Sequence, residues 1–163
     1  YYILGCFDKG GRLLGGMPIT ERKKGYVTMP KLTQTLGIVF EDFSTMKYVN
    51  QITKEKDITL AIVENMPQFK LFDYGFHYNF TNWMPFMWNR YEQYTRYTYV
   101  IEDLTDIDKI RAEFTDSTKS LISKAYKNNL KVINDMELAT MYDLVKKTFE
   151  RQNMKIGFSY EWF

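Results

Sequence analysis

Residues 2–19 of this chain have the sequence YILGCFDKGGRLLGGMPI, two apolar runs on either side of Asp8-Lys9-Gly10-Gly11. Glycine adopts positive φ without steric cost, so the tetrapeptide predicts a tight turn and its flanks predict a β-hairpin. Gly15 and Gly16 within the second run indicate a bulge or the close approach of another backbone. The glycines thus predict both the hairpin and a point of tight packing on it.

The rest of the chain mixes strand and helix patterns. Strands are predicted at residues 26–29, 37–40, 68–78 and 95–102, with shorter possible strands at 86–91 and 130–133. Helices are predicted from Ser44 or Thr45 toward Met66, and after Asp106, Asp116 or Ser117, and Asp135, so that residues 106–163 are mostly helical. This mixture predicts an α/β (α+β) fold with a largely antiparallel sheet flanked by helices.

Length and composition exclude several classes of protein. The 163 residues are enough for one domain and its core, and 45% hydrophobic with 26% charged residues is typical of a globular chain. Twenty-two basic against 20 acidic residues argue against a dedicated nucleic-acid site. One cysteine and one histidine leave no disulfide framework and no zinc cluster, which predicts a cytoplasmic protein, and no apolar run is long enough to predict a membrane span.

Most single reactive side chains are better explained by structure than by catalysis. We expect Cys6 to be a structural residue of the first strand and His77 to pack or hydrogen-bond within an aromatic run. The carboxylates Asp103, Asp106 and Asp108 flank a helix start, where they are more typical of caps than of metal ligands.

Three stretches are compatible with either a ligand-binding role or a purely structural role. Residues 30–37 (PKLTQTLG) could hold a polar ligand or form a solvated connection. Lys124, Lys127 and Lys131 have i, i+3, i+7 spacing and could meet an anion or simply face solvent. The aromatic and basic residues of 83–97 could stack on a sugar or base, or could pack as a sheet face on helices.

Four stretches together resemble the N-terminal half of FemAB-like proteins, a branch of the GNAT acyltransferase superfamily. They are GRLLGGMPI (11–19), MPKLTQTLGIVF (29–40), PFMWNRYEQYTRYTYVIEDL (85–104) and FTDSTKSLISKAYKNNLKVIND (114–135) with the helix after it. The second is close to the family's P-x-L-T-Q-x-x-G. Lys119 and Ser123 differ from the family pattern, which has arginines at these positions.

The resemblance implies one GNAT-like lobe over residues 1–163, as a fragment of a bacterial two-lobe N-acyltransferase. Such a parent moves an acetyl, acyl or aminoacyl group from acyl-CoA or aminoacyl-tRNA to the amine of a small molecule or a peptidoglycan precursor. The donor site would belong to the missing C-terminal lobe, so we expect no cofactor or metal in this fragment and no turnover by it alone.

The acceptor-side residues that we predict are Thr33, Gln34, Trp88, Arg96, Tyr97 and Lys124, with no catalytic base assigned. The alternative is a non-catalytic binding or scaffold module of the same fold. Because aromatic residues make up 17% of the chain and nine methionines add apolar volume, we also predict an apolar surface and a possible homodimer.

Overall fold

The computed structural model describes residues 1–163, which form two compact units, Tyr1–Tyr94 and Thr95–Phe163. The first unit contains β1 (Tyr2–Phe7), β2 (Leu13–Ile19), β3 (Glu21–Lys23), β4 (Tyr26–Thr28), β5 (Val39–Phe40), α1 (Tyr48–Glu64), β6 (Leu71–Asp73) and α2 (Met84–Trp88). The second contains α3 (Ile107–Glu113), α4 (Asp116–Lys127), α5 (Leu138–Arg151) and a 3₁₀ helix (Tyr160–Trp162). The predicted α+β class is confirmed, with two small, mostly antiparallel sheets.

The first sheet has the order β1-β2-β5, and the predicted hairpin supplies two of its three strands. The Asp8 carboxylate closes the turn by accepting hydrogen bonds from the backbone N–H of Gly10 (2.8 Å) and of Arg12 (3.0 Å). The strand register shifts between Cys6 and Phe7, opposite Gly15 and Leu13, so the irregularity lies next to Gly15 and not between the two glycines.

Gly15 lets helix α1 and strand β5 lie directly against β2. A Cβ atom at this position would be 3.0 Å from Cγ2 of Ile58 and 3.1 Å from the carbonyl oxygen of Val39. The close approach predicted from the sequence is therefore confirmed, and it is made by both a side chain and a backbone.

The second sheet has the order β3-β4-β6, in which β4 and β6 are parallel. A parallel pair needs a long crossover, and α1 lies within the segment that connects these two strands. The Tyr74 hydroxyl, just after β6, accepts from the backbone N–H of Thr20 (2.9 Å) and donates to the carbonyl oxygen of Pro18 (2.9 Å). This side chain thus joins β6 to the chain leaving β2.

The core of the first unit lies between the strands and the last two turns of α1. Its buried hydrophobic residues are Leu14, Met17, Ile19, Val27, Phe43, Ile58, Ile62, Val63 and Phe86. Thr59 is the one buried polar residue of this core, and its hydroxyl donates to the Glu55 carbonyl (2.7 Å). The buried Thr59 hydroxyl is therefore hydrogen-bonded, as buried polar groups normally are.

Three local predictions in the first unit were wrong. The strand predicted at residues 68–78 is reduced to β6, Leu71–Asp73, with an isolated bridge at Phe76. Helix α1 begins after Lys47 instead of Ser44 or Thr45, because residues 43–46 form a turn in which the Met46 N–H donates to the Phe43 carbonyl (2.9 Å). Residues 86–91, a possible strand, contribute instead to α2, where Pro85 occupies the first turn that proline favours.

The second unit is helical and contains no strand. The strands predicted at residues 95–102 and 130–133 were wrong: both segments are irregular and exposed. The starts of α3 and α4 were predicted more closely. Asp106 caps α3 as predicted, because its carboxylate accepts from the Lys109 N–H (2.9 Å). Helix α4 is capped by Thr115, one residue before the predicted cap. Helix α5 begins at Leu138, three residues after the predicted cap Asp135.

None of the five α-helices has the length and apolar character needed to cross a lipid bilayer.

Candidate ligand-binding site

The strongest candidate site is the loop of residues 30–37, which connects β4 to β5 and is fixed at its far end. The Leu36 N–H donates to the Gly75 carbonyl (2.8 Å), and Leu36 forms a parallel bridge with Phe76. These backbone contacts hold the loop on the segment that follows β6. The loop is therefore anchored to the first unit at its far end, while Lys31, Leu32, Gln34 and Thr35 are exposed.

Gly37 and Gly75 are the two positions at which the loop and its support touch most closely. Gly37 has φ +130°, and a Cβ atom there would lie 2.5 Å from Cδ1 of the Phe76 ring. A Cβ atom on Gly75 would lie 3.2 Å from the carbonyl oxygen of Gln34. The Gly37 contact requires glycine, whereas a Cβ atom on Gly75 would need the Gln34 backbone to shift by a few tenths of an ångström.

Leu32 adopts a left-handed backbone conformation, with φ 60°. A branched, non-glycine residue rarely adopts this conformation, which costs roughly 1–3 kcal/mol and persists only where the surrounding structure imposes it. Such strain is concentrated at ligand clamps and active sites. This outlier therefore favours the binding role over the solvated connection.

The polar side chains of the loop are accessible. Thr33 is half-buried, and its hydroxyl donates to the Lys31 carbonyl at 3.4 Å, which leaves the hydroxyl oxygen able to accept. Gln34 is exposed and presents an amide with two donors and an acceptor. The loop thus offers a fixed set of neutral donors and acceptors, which suits a polar, uncharged or amine-bearing ligand.

An aromatic cluster packs against the loop through Phe76 and extends to α2. The Phe76 ring lies 4.6 Å from Phe80 and 5.2 Å from Phe86, which is buried in α2. Trp88, at the end of the same helix, has 49% of its surface exposed. The first unit therefore places Thr33, Gln34 and Trp88 on elements that share one aromatic support.

The remaining predicted site residues belong to the second unit. Arg96 and Tyr97 lie in the irregular segment, and Tyr97 is 94% exposed. Lys124 lies in the last turn of α4 with Lys127, but the helix ends there, so Lys131 does not share their face as predicted. Asn129, just past the end of α4, has a left-handed backbone conformation with φ 53°.

The isolated reactive groups have local partners. The Nδ1 atom of His77 accepts from the Asn79 N–H (3.2 Å), and its ring lies 4.1 Å from that of Tyr78. The pKa of Asp103 is lowered chiefly because its carboxylate accepts a hydrogen bond from the Thr105 N–H. No group of three or more His, Cys, Asp or Glu side chains is placed to hold a metal ion.

Sequence reasoning missed a second concave surface, formed by residues 66–72 and 90–92. Arg90 belongs to the aromatic and basic stretch of residues 83–97. Nothing in the sequence links Lys70 to Arg90, because Lys70 lies 20 positions earlier in a predicted strand. Burial raises the pKa of the Tyr91 hydroxyl at this surface. Only the fold brings these residues together.

Comparison of the chain with protein-family models, curated proteins and solved structures found no match.

Proposed function

We propose that this chain is the acceptor-side lobe of an N-acyltransferase of the FemAB-like branch of the GNAT superfamily. The observation that supports this most is the P-x-L-T-Q-x-x-G loop at residues 30–37, which is strained at Leu32 and anchored on Phe76. One of the other family-like stretches precedes it and two follow it, in the expected order along the chain. A cytoplasmic location and a bacterial source belong to the same proposal.

In the proposed reaction the acceptor amine attacks the acyl carbonyl of an acyl-CoA thioester or of an aminoacyl-tRNA ester. An N–C bond forms, the donor's C–S or C–O bond breaks, and the amine loses a proton. The Thr33 hydroxyl and the Gln34 amide would bind polar groups of the acceptor, and Trp88 would pack on its apolar part. Much of the rate would come from positioning the two substrates, for which a rigid loop is suited.

The donor would bind the second lobe of the parent protein that the resemblance implies, and the acceptor contacts proposed in the first unit are Thr33, Gln34 and Trp88. Acetyl-CoA binding by the longer protein, measured by calorimetry with residues 1–163 as the control, tests this division. Binding by the longer protein alone supports an acetyl donor. Binding by neither, with transfer from aminoacyl-tRNA to a lysine-containing pentapeptide, supports an aminoacyl donor.

The role of the loop is tested by Gln34→Ala in that longer protein, with Gln93→Ala as a matched exposed glutamine outside the loop. We expect Gln34→Ala to lower turnover at least about tenfold, the loss of about one hydrogen bond to the acceptor, with an unchanged melting temperature. Gln93→Ala should leave turnover unchanged.

Arg96→Ala tests the contribution of the second unit in the same assay. Loss of turnover without loss of folding supports the transferase proposal. If Gln34→Ala and Arg96→Ala both leave turnover at the wild-type level, or if no donor is used, the scaffold alternative is favoured.

A further inference from the structure

The second concave surface is an open groove of about 680 Å³ in the first unit. Residues 66–72, which include the start of β6, line one side, and residues 90–92, just after α2, line the other. It shares no residue with the loop of residues 30–37. We call it the β6–α2 groove.

The charged side chains of the β6–α2 groove have a positive balance. Two cations, Lys70 and Arg90, and one carboxylate, Glu92, line the groove, and none of the three takes part in a salt bridge. Two exposed cations at one concave surface attract an anion, and an arginine can hold an oxyanion through two parallel hydrogen bonds.

Lys70 is held in position by a glycine. Gly25 has φ +84°, and a Cβ atom on it would lie 3.2 Å from Cγ of Lys70. The backbone N–H groups of Lys70 and Leu71 both donate to the Gly25 carbonyl, at 2.8 Å and 3.1 Å. The aliphatic part of the lysine therefore lies along the chain at Gly25, which limits where its ammonium group can go.

Arg90 occupies a position that glycine normally takes. Its φ is 65°, and the N–H of Arg90 donates to Met87 while that of Tyr91 donates to Phe86, the paired bonds that end a helix with a left-handed residue. An arginine in this conformation costs free energy that a glycine would avoid. The left-handed conformation of Arg90 therefore belongs to the end of α2, and it leaves an exposed arginine at the groove.

The wall behind these cations is aromatic. The Phe72 ring packs edge-on against Tyr91 at 5.4 Å and lies 6.1 Å from Phe69. All three rings belong to residues that line the groove. A ligand in this groove would be lined by both cations and by aromatic rings.

We propose that the β6–α2 groove binds a small oxyanion joined to a planar apolar group, with Arg90 as its bidentate partner and Lys70 as a second positive charge. A phosphate monoester and a carboxylate share this chemistry. The proposal does not depend on the transferase proposal, because it uses none of the residues assigned there.

Phenyl phosphate, benzoate, and neutral benzyl alcohol are the probes, titrated into the protein and followed by calorimetry. We expect at least one of the two anions to bind and benzyl alcohol to bind at least tenfold more weakly. Tighter binding of phenyl phosphate assigns the groove to phosphate monoesters, and tighter binding of benzoate assigns it to carboxylates. Equal binding of all three, or binding of none at millimolar concentration, overturns the proposal.

Arg90→Gly separates binding from folding. We expect this variant to lose at least tenfold in affinity for the anion while its melting temperature rises, because the glycine relieves the backbone strain. Lys70→Met should weaken binding several-fold. The matched control Lys9→Met, at an exposed turn outside the groove, should leave affinity unchanged.

Unchanged affinity in Arg90→Gly contradicts the proposal, as does a lower melting temperature. An equal loss in Lys9→Met would show that net charge alone attracts the anion, which also contradicts it.

Discussion

Gly37 shows how one missing side chain fixes a loop. Its φ of +130° excludes most other residues, and the Phe76 ring fills the space where a Cβ atom would lie. The glycine therefore has two separate reasons to be there, one conformational and one steric. Phe76 in turn rests on Phe80 and Phe86, so the position of the loop depends on the aromatic packing below it.

We expect Gly37→Ala to lower the free energy of unfolding by about 1–3 kcal/mol, because the alanine must adopt a disfavoured φ and displace the Phe76 ring. Urea denaturation followed by circular dichroism measures this. Gly157→Ala is the control, since a Cβ atom there meets nothing within 4 Å. Equal stability of the two variants would contradict the packing described for the loop.

The Tyr74 hydroxyl is a second single group with a large structural role, since it accepts from Thr20 N–H and donates to the Pro18 carbonyl. Tyr74→Phe leaves the Thr20 N–H without that acceptor, so we expect a loss of about 1–3 kcal/mol in the free energy of unfolding. Tyr78→Phe removes an exposed hydroxyl and should change stability by less than about 0.5 kcal/mol. A loss in Tyr74→Phe no larger than in Tyr78→Phe would show that the hydroxyl is dispensable.

Among the secondary-structure elements, the hairpin β1–β2 was predictable and the strand at residues 95–102 was not. The hairpin depends on a local turn, and Asp8, Gly10 and Gly11 contain all the information that the turn requires. A strand exists only with a partner strand, and the alternation of Tyr97, Tyr99 and Ile101 specifies no partner. The parallel pairing of β4 with β6 was hidden for the same reason.

The hairpin should respond to acid. Hydrogen bonds from the backbone N–H groups of Arg12 and Gly10, together with the Arg12 guanidinium, lower the pKa of Asp8 in the folded state. A lowered folded-state pKa contributes stability above the unfolded value of about 3.9, and this contribution is lost as the pH falls through the folded value.

We therefore expect Asp8→Asn to be less stable than the wild type at pH 7 and to match it near pH 2. Urea midpoints measured from pH 2 to pH 7 test this. Two curves that stay parallel over that range would show that the charge on Asp8 contributes nothing to the hairpin.

For the molecule as a whole, burial is distributed unevenly along the chain. Every buried residue lies in the first unit, while the second exposes Tyr97, Tyr99 and Val132 almost completely. Helical periodicity is local, so it predicted that α1 exists, but it did not predict that the buried face of α1 is Ile58, Thr59, Ile62 and Val63. It could not predict which apolar residues stay exposed, since that depends on what packs against them. The candidate loop was found from residue type alone, and its strain became visible only in the backbone.

Such exposed apolar surface favours self-association, so the homodimer predicted from composition stays a prediction with a direct test. We expect sedimentation equilibrium to show concentration-dependent association, weakened when Tyr97, Tyr99 and Val132 are all replaced by serine. Tyr78→Ser, an exposed tyrosine of the first unit, should have no effect. A monomer at all concentrations would contradict the prediction.

The hydrogen bond between Tyr74 and Thr20 spans 54 positions of the chain, which has a consequence for the order of folding. Hairpin β1–β2 closes over a turn of a few residues and can form on the microsecond timescale. The β4–β6 pair can form only after the segment between the two strands, which contains α1, has brought them together. We expect that pair to form late, so that in a refolding chain the contact between the loop of residues 30–37 and Phe76 forms only after the hairpin.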